Sequence, residues 1–167
     1  MSAAANSLPD RNDAKIRLAQ SADVEALAGM INSAFRVELP FIEGDRINAD
    51  GVQEYMKKGR FLLAEDCVGL AGCVYVEVRG DRGYLGLLGV EPRRQGTGLG
   101  RKLMDAAEDY FRTANCVAID LRIVSARTLL PVFYRHVGYV ETGTAPLPPD
   151  ASVKVPCHFI LMSKMLV

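Results

Sequence analysis

Between Val90 and Lys102 the chain reads Val90-Glu91-Pro92-Arg93-Arg94-Gln95-Gly96-Thr97-Gly98-Leu99-Gly100-Arg101-Lys102. Three alternate glycines stand between a strand-like run and a helix-like one. The first N–H groups of a helix have no internal acceptor, and with the helix dipole they favour negative charge. Glycine at alternate positions removes the side chains that would keep a diphosphate away from those amides. The segment therefore predicts a cradle for phosphate oxygens at a helix start. Arg93, Arg94, Arg101 and Lys102 concentrate positive charge here, in a chain whose Lys plus Arg and Asp plus Glu number 20 each. A P-loop would end in Gly-Lys-Ser or Gly-Lys-Thr, which Gly100-Arg101-Lys102 does not supply. A Rossmann fingerprint counted from Gly96 meets Arg101 where its third glycine belongs. The plainer alternative is a tight strand-to-helix turn without a ligand; the coincidence of glycines, helix start and local charge favours the cradle.

Metal chemistry is not expected. Cys67, Cys73, Cys116 and Cys157 form no Cys-x-x-Cys pair, and the two histidines, His136 and His158, are far apart. The neutral charge balance argues against nucleic-acid binding and against a polybasic membrane surface. No apolar run approaches the ~20 residues that cross a bilayer, and the first residues lack a signal-peptide pattern. The expectation is a cytoplasmic protein with reduced thiols.

The elements that must position the cradle follow from periodicity. With 167 residues, 49% of them hydrophobic, the chain suits one domain with a full core. Residues 1–12 are expected to form a flexible tail and residues 13–167 the domain. Lys15 to Ala19 reads as a strand. A helix follows, capped by Ser21 or Asp23, with Val24, Leu27, Ala28, Ile31 and Phe35 at helical spacing. Arg36 to Asn48 reads as a loop and Asp50 to Lys58 as a short helix. Three strands come next: Phe61 to Glu65, Val68 to Val78 and Tyr84 to Val90. The second alternates as a half-buried strand would. Gly86 and Gly89 in the third suggest a bulge or a close approach. Leu99 to Arg112 predicts an amphipathic helix, with Leu99, Leu103, Ala106, Ala107 and Tyr110 inward and Lys102, Asp105, Glu108 and Asp109 outward. Cys116 to Ile123 is a strand and Leu129 to His136 a short helix, its Pro131 tolerable only in the first turn. Strands at Tyr139 to Thr142 and Cys157 to Leu166 complete one mixed sheet with helices on its faces.

Gln95-Gly96-Thr97-Gly98-Leu99-Gly100 resembles the Q/R-x-x-G-x-G/A signature of the GNAT superfamily of acetyl-CoA-dependent N-acetyltransferases. Leu88-Gly89-Val90 and Pro92 are similar to that family's lead-in. Phe133-Tyr134-Arg135-His136-Val137-Gly138-Tyr139 resembles its second landmark, a tyrosine on a short helix followed by glycine and an aromatic residue. The resemblance implies an α/β fold with a mixed, mostly antiparallel sheet of about seven strands, about four flanking helices and a splayed cofactor cleft. It implies that the backbones of Leu88, Gly89 and Val90 bind the pantetheine arm, and that the amides of Gly96, Thr97, Gly98, Leu99, Gly100 and Arg101 hold the pyrophosphate. Tyr134 would be the general acid that protonates the departing thiolate, with an amine of a small molecule or a protein as acceptor.

Many members place a glutamate on the strand before the loop as base, but Tyr84 to Val90 has no carboxylate. Glu77, Glu91, His158 and a water chain stay open in that role; the unperturbed His value of about 6.5 suits proton transfer near neutrality. Arg127 stands where members commonly carry an asparagine. Acceptor choice would fall to the Arg36–Asn48 loop, with Arg36, Glu38, Glu43, Asp45 and Arg46, and to the loop before the last strand. Such a charge mixture suits a zwitterion such as an amino acid, and equally a solvated loop. A homodimer is left open. The alternatives are an acyl-CoA sensor that has lost the chemistry and a nucleotide-binding domain of another fold.

Overall fold

In the computed structural model, residues 13–166 are described. The expected N-terminal tail, residues 1–12, lies outside them. Seven strands form one sheet: β1 (Lys15–Leu18), β2 (Arg60–Asp66), β3 (Gly69–Arg79), β4 (Arg82–Val90), β5 (Ala118–Val124), β6 (Val140–Ala145) and β7 (Phe159–Met165). Their order is β1-β2-β3-β4-β5-β7-β6, and every neighbouring pair is antiparallel except β4 and β5. The helices are α1 (Val24–Ala34), α2 (Ala49–Lys58), α3 (Leu99–Thr113) and α4 (Leu130–His136). None is long and apolar enough to cross a membrane.

Strand alternation sorts the core into two layers. Leu62, Ala64, Val74, Val76 and Leu85 face α3 and α4, meeting Leu103, Ala107, Phe111 and Tyr134. Phe61, Leu63, Cys73, Tyr75 and Leu87 face α1 and α2, meeting Leu27, Ile31 and Val52. Both faces of β3 are therefore covered from Ala71 to Val76. The half-buried strand expected from the alternation of valines with Tyr75 is corrected. Tyr75 is itself core, packed edge-on to Tyr55 at 4.7 Å between ring centroids.

The helix expectations hold with small differences. Before α1 the chain makes a 3-10 turn, Ser21–Asp23, capped at Gln20, whose N–H donates to Asp23 at 2.7 Å. Asn48 caps α2 by accepting the Gly51 N–H at 2.8 Å. Pro131 sits in the first turn of α4, where its missing N–H costs nothing. Glu108 departs from the expected outward face of α3: only 7% of it is exposed. Lys164 of β7 meets it at 2.7 Å and also donates to the Val137 carbonyl at 3.0 Å. A buried carboxylate needs such a partner, and this one ties α3, β7 and the end of α4 together.

Candidate active site and cofactor cleft

The cleft exists because β4 and β5 stop pairing. Their ladder runs only through Arg82–Ala118, Gly83–Ile119 and Tyr84–Asp120, although both strands continue. At the closed end Arg82 holds Asp120 with two hydrogen bonds, 2.7 and 2.6 Å, and Ser163 adds a third. Past Tyr84 the side of β4 that faces β5 has no backbone partner there. On the other side β4 carries a bulge, because Cys73 pairs with Gly89 and Tyr75 with Gly86, which leaves Leu87 and Leu88 opposite Val74. Leu87 has φ +48°, a strained conformation for a branched residue. The bulge increases the local twist of β4 where it leaves β5. Gly89 answers the expected close approach, since a Cβ there would lie 3.1 Å from the Ala34 methyl of α1.

The glycine loop continues directly from the open edge of β4. Gly96 and Gly98 take φ +78° and +84°, and Gly98 is the N-cap of α3. Among the described residues the N–H groups from Gly96 through Arg101 meet no acceptor; the first helical bond is Lys102 to Gly98 at 3.1 Å. Side chains brace this nest from behind. Gln95 donates to the Val90 carbonyl at 3.2 Å, and Thr97 donates to the Arg94 carbonyl at 2.6 Å. The expected cluster of positive charge is smaller than the sequence suggests. Arg94 is bound to Asp66, which also takes the Val68 N–H at 2.9 Å, and Lys102 donates to the Ala14 carbonyl. What the loop offers an anion is therefore chiefly backbone.

Tyr134 stands across the cleft on α4. Only 5% of it is exposed, and it lines the cavity with Leu85 to Leu88 of β4 and Leu121 to Val124 of β5. Its ring meets that of Tyr139 at 5.7 Å, and its carbonyl accepts the Tyr139 N–H at 2.9 Å. Among the described residues its hydroxyl has no hydrogen-bond partner. Burial pushes that hydroxyl up to about 12, against a smaller opposite pull from Arg127. It therefore stays protonated at neutral pH.

None of the three side chains expected as base lines this cavity. Glu77 accepts the Tyr75 hydroxyl at 2.7 Å and pairs with Arg79 at 3.0 Å. Glu91 continues the β4 ladder by donating its N–H to the Ala71 carbonyl at 2.8 Å. His158 is exposed, and its N–H meets Ser125 at 3.0 Å. The carboxylate in the cleft is Glu38, 7% exposed at the end of the 3-10 turn Phe35–Glu38. Burial raises its pKa, while the charges of Arg46 and Arg127 work the other way. Arg127 lines the cavity too, its Nη1 3.8 Å from Glu38. Sequence reasoning left Glu38 among loop charges, yet the spacing Ile31, Phe35, Glu38 continues the buried stripe of α1, and that was the available signal.

The cavity opens into a second chamber of about 260 Å³ beneath two loops. The loop after α1 and the loop before β7 are joined by an Ile42–Val153 bridge. Glu43 N–H donates to Ser152 at 2.8 Å and Lys154 N–H to Phe41 at 2.7 Å. The two loops expected to choose the acceptor thus share one roof. A free peptide edge, a nest of unpartnered amides and a buried phenol together suit an extended thioester with a diphosphate at its far end.

A family model described as an acetyltransferase (GNAT) domain matches residues 40–147. A mycothiol acetyltransferase of Propionibacterium freudenreichii subsp. shermanii is 31% identical over 106 residues, covering 58% of this chain and 34% of the relative. The chain thus spans about a third of the length of that curated relative. Among solved structures, a ribosomal-protein-alanine N-acetyltransferase from Brucella melitensis superposes with a TM-score of 0.73 at 20% identity, over 91% of this chain and 99% of the other. A Salmonella typhimurium protein solved with its cofactor acetyl-CoA gives 0.70 at 19%, over 93% and 95%. Those two share the fold. The matched domain, with the cleft and cradle built from the same stretch, makes this chain a member of the GNAT family of acetyl-CoA-dependent acetyltransferases.

Proposed function

We propose that the protein moves the acetyl group of acetyl-CoA to a primary amine, with Tyr134 as proton donor to the departing sulfur. One observation carries this reading: the unpaired edge of β4 borders the cavity that Tyr134 lines and runs on in sequence to the loop whose amides from Gly96 to Arg101 meet no acceptor among the described residues. Leu88, Gly89 and Val90 would take the pantetheine arm as an added strand, and the loop amides would hold the pyrophosphate.

Acetyl-CoA supplies the activated acyl group: the amine nitrogen bonds to the thioester carbon, the carbon–sulfur bond breaks, and the sulfur leaves with its electron pair. This chain positions the amine and moves the protons. Tyr134 gives one to the sulfur. Glu38 takes one from the amine; its raised pKa brings it nearer that task than an exposed glutamate would be. Leu130, Phe133 and Phe159 line the same cavity and keep water from it.

The small roofed chamber favours a small-molecule acceptor over a protein one, as does the name of the Propionibacterium relative. The reading includes a cytoplasmic location and leaves a homodimer open. Calorimetry with coenzyme A, ATP and NAD, followed by thiol release from acetyl-CoA across an amine panel, tests it. Preferential uptake of coenzyme A with amine-dependent thiol release is expected. Uptake without thiol release would make the protein an acyl-CoA sensor, and failure to take up coenzyme A would end the cradle reading.

A further inference from the structure

The chamber beyond Tyr134 carries both signs of charge on its walls. Glu38 is more than nine-tenths buried and, among the described residues, has no hydrogen bond to its carboxylate; Arg127 is 3.8 Å away, and Arg46 also acts on it by charge. A buried carboxylate so poorly served is costly unless something else supplies donors. Arg46 and Arg122 line the same walls, with Asp45 next to Arg46 in the chain, and the charge of Arg46 reaches Glu38. Most arginines of the chain spend their charge on a carboxylate, among them Arg17, Arg79, Arg82, Arg94, Arg112 and Arg135. Arg46 and Arg122 have no such partner among the described residues. Each lies instead over a ring, Arg46 over Phe35 at 5.6 Å and Arg122 over Phe159 at 4.5 Å. Stacking fixes the plane of a guanidinium and leaves its N–H fork free for a carboxylate. Both arginines and Glu38 line the cleft and the chamber alike.

We propose that the acceptor is a small zwitterion, a primary amine and a carboxylate in one molecule, in the manner of a free amino acid. Its ammonium meets Glu38, on the Tyr134 side, and its carboxylate meets Arg46 and Arg122. Asp45 and Tyr55 add polar groups to the remaining wall, and Leu39, Ile42 and Leu147 give it an apolar part that suits a hydrocarbon side chain. At about 260 Å³ the chamber is smaller than the roughly 300–1,000 Å³ of drug-sized sites. A peptide N-terminus would also leave both arginines unpaired.

This inference rests on acetyl transfer at Tyr134, and its test separates the two. Thiol release from acetyl-CoA is measured with leucine, leucinamide, 3-methylbutylamine and the peptide Leu-Gly-Gly, alongside coenzyme A binding by calorimetry. Charge-assisted pairing of the carboxylate should favour leucine by about 10- to 100-fold in kcat/KM over its amide and its decarboxylated amine. In Arg46→Gln and Arg122→Gln the acid-to-amide ratio should fall toward one. Because that readout is a ratio, partial misfolding does not produce it. Equal or better acetylation of the amide, the amine or the peptide overturns the inference while acetyl transfer stands. So does coenzyme A binding with no turnover of leucine. Loss of coenzyme A binding by the parent protein overturns the transfer reading, and this inference with it.

Discussion

Two alanine substitutions two residues apart should move stability in opposite senses, and only one of them should weaken cofactor binding. At Gly98 the backbone has φ +84°, and a Cβ added there would meet nothing within 4 Å. Gly98→Ala therefore creates no clash in the free protein. Its cost is the left-handed conformation, roughly 1–2 kcal/mol, offset by the roughly 0.4–1 kcal/mol gained from a stiffer unfolded chain. The net loss of about 1 kcal/mol lowers Tm by about 2–4 °C in a domain this size. The new methyl would occupy open space at the loop, where the diphosphate is proposed to lie, so coenzyme A should bind at least about tenfold more weakly, or about 1.4 kcal/mol. Gly100 lies inside the first turn of α3, and its Cβ would rest 3.8 Å from Val90 Cγ2, an ordinary contact turned toward β4. Gly100→Ala should stabilise the helix by about 0.5–1 kcal/mol, raise Tm and leave affinity within about twofold, the scatter expected where no contact is lost. Calorimetric titration with coenzyme A and a thermal scan of each variant read both quantities. A folded Gly98→Ala protein that binds coenzyme A as tightly as the parent would refute the backbone cradle.

Tyr134→Phe removes the proposed proton donor and keeps the ring against Tyr139, so kcat should fall by about 10²-fold or more. Titration with coenzyme A should show unchanged affinity. Glu38→Gln should lower kcat and erase the acid limb of the pH–rate profile, which in the parent lies above the ordinary glutamate range because burial outweighs Arg46 and Arg127. The same substitution should raise stability at neutral pH. The unfolded carboxyl, near 4.5, holds fewer protons than the folded one, so the parent loses stability as pH rises through the folded value. Thermal midpoints of parent and variant should separate across that window and run parallel above it. Asp23 has the opposite sign. Hydrogen bonds from Arg17 and the Gln20 amide hold it near 2, below 3.8, so it stabilises the fold above that range. Asp23→Asn should lower Tm at neutral pH, with the difference closing as pH falls toward about 2.

The legible parts of this molecule were those set by local chemistry. The loop from Gln95 to Gly100 declares its backbone, because alternate glycines before an amphipathic run have few other uses. The stripe of α3 was nearly right for the same reason. What failed depended on partners distant in sequence. Glu108 looked like surface until Lys164, 56 positions on, came beside it. Tyr75 looked like the outer face of a half-covered strand, because nothing local says that α2 will lay Tyr55 against it. Arg94 looked like an anion ligand until the β2–β3 turn placed Asp66 in its reach. Glu38 was the costliest miss. Its loop has the composition of solvent-exposed chain, and only the continued spacing from Ile31 and Phe35 marked it as buried.

On the proposed reading the cleft divides its work between two kinds of chemistry, at an anion end and an acceptor end. The anion end is backbone: amides, an open strand edge and glycines, positioned by the sheet and by the start of α3. Changing a side chain there alters little unless it adds bulk. The acceptor end is side chain: Glu38, Arg46 and Arg122 project from a 3-10 turn, a loop and a strand, beneath a roof made by two loops. Those loops add little to either core layer, so their residues can change at small cost to stability. Exchanging the charges at 38, 46 and 122 should therefore alter which amine enters while coenzyme A binding persists, whereas no exchange of side chains can replace a loop amide that a new Cβ has covered.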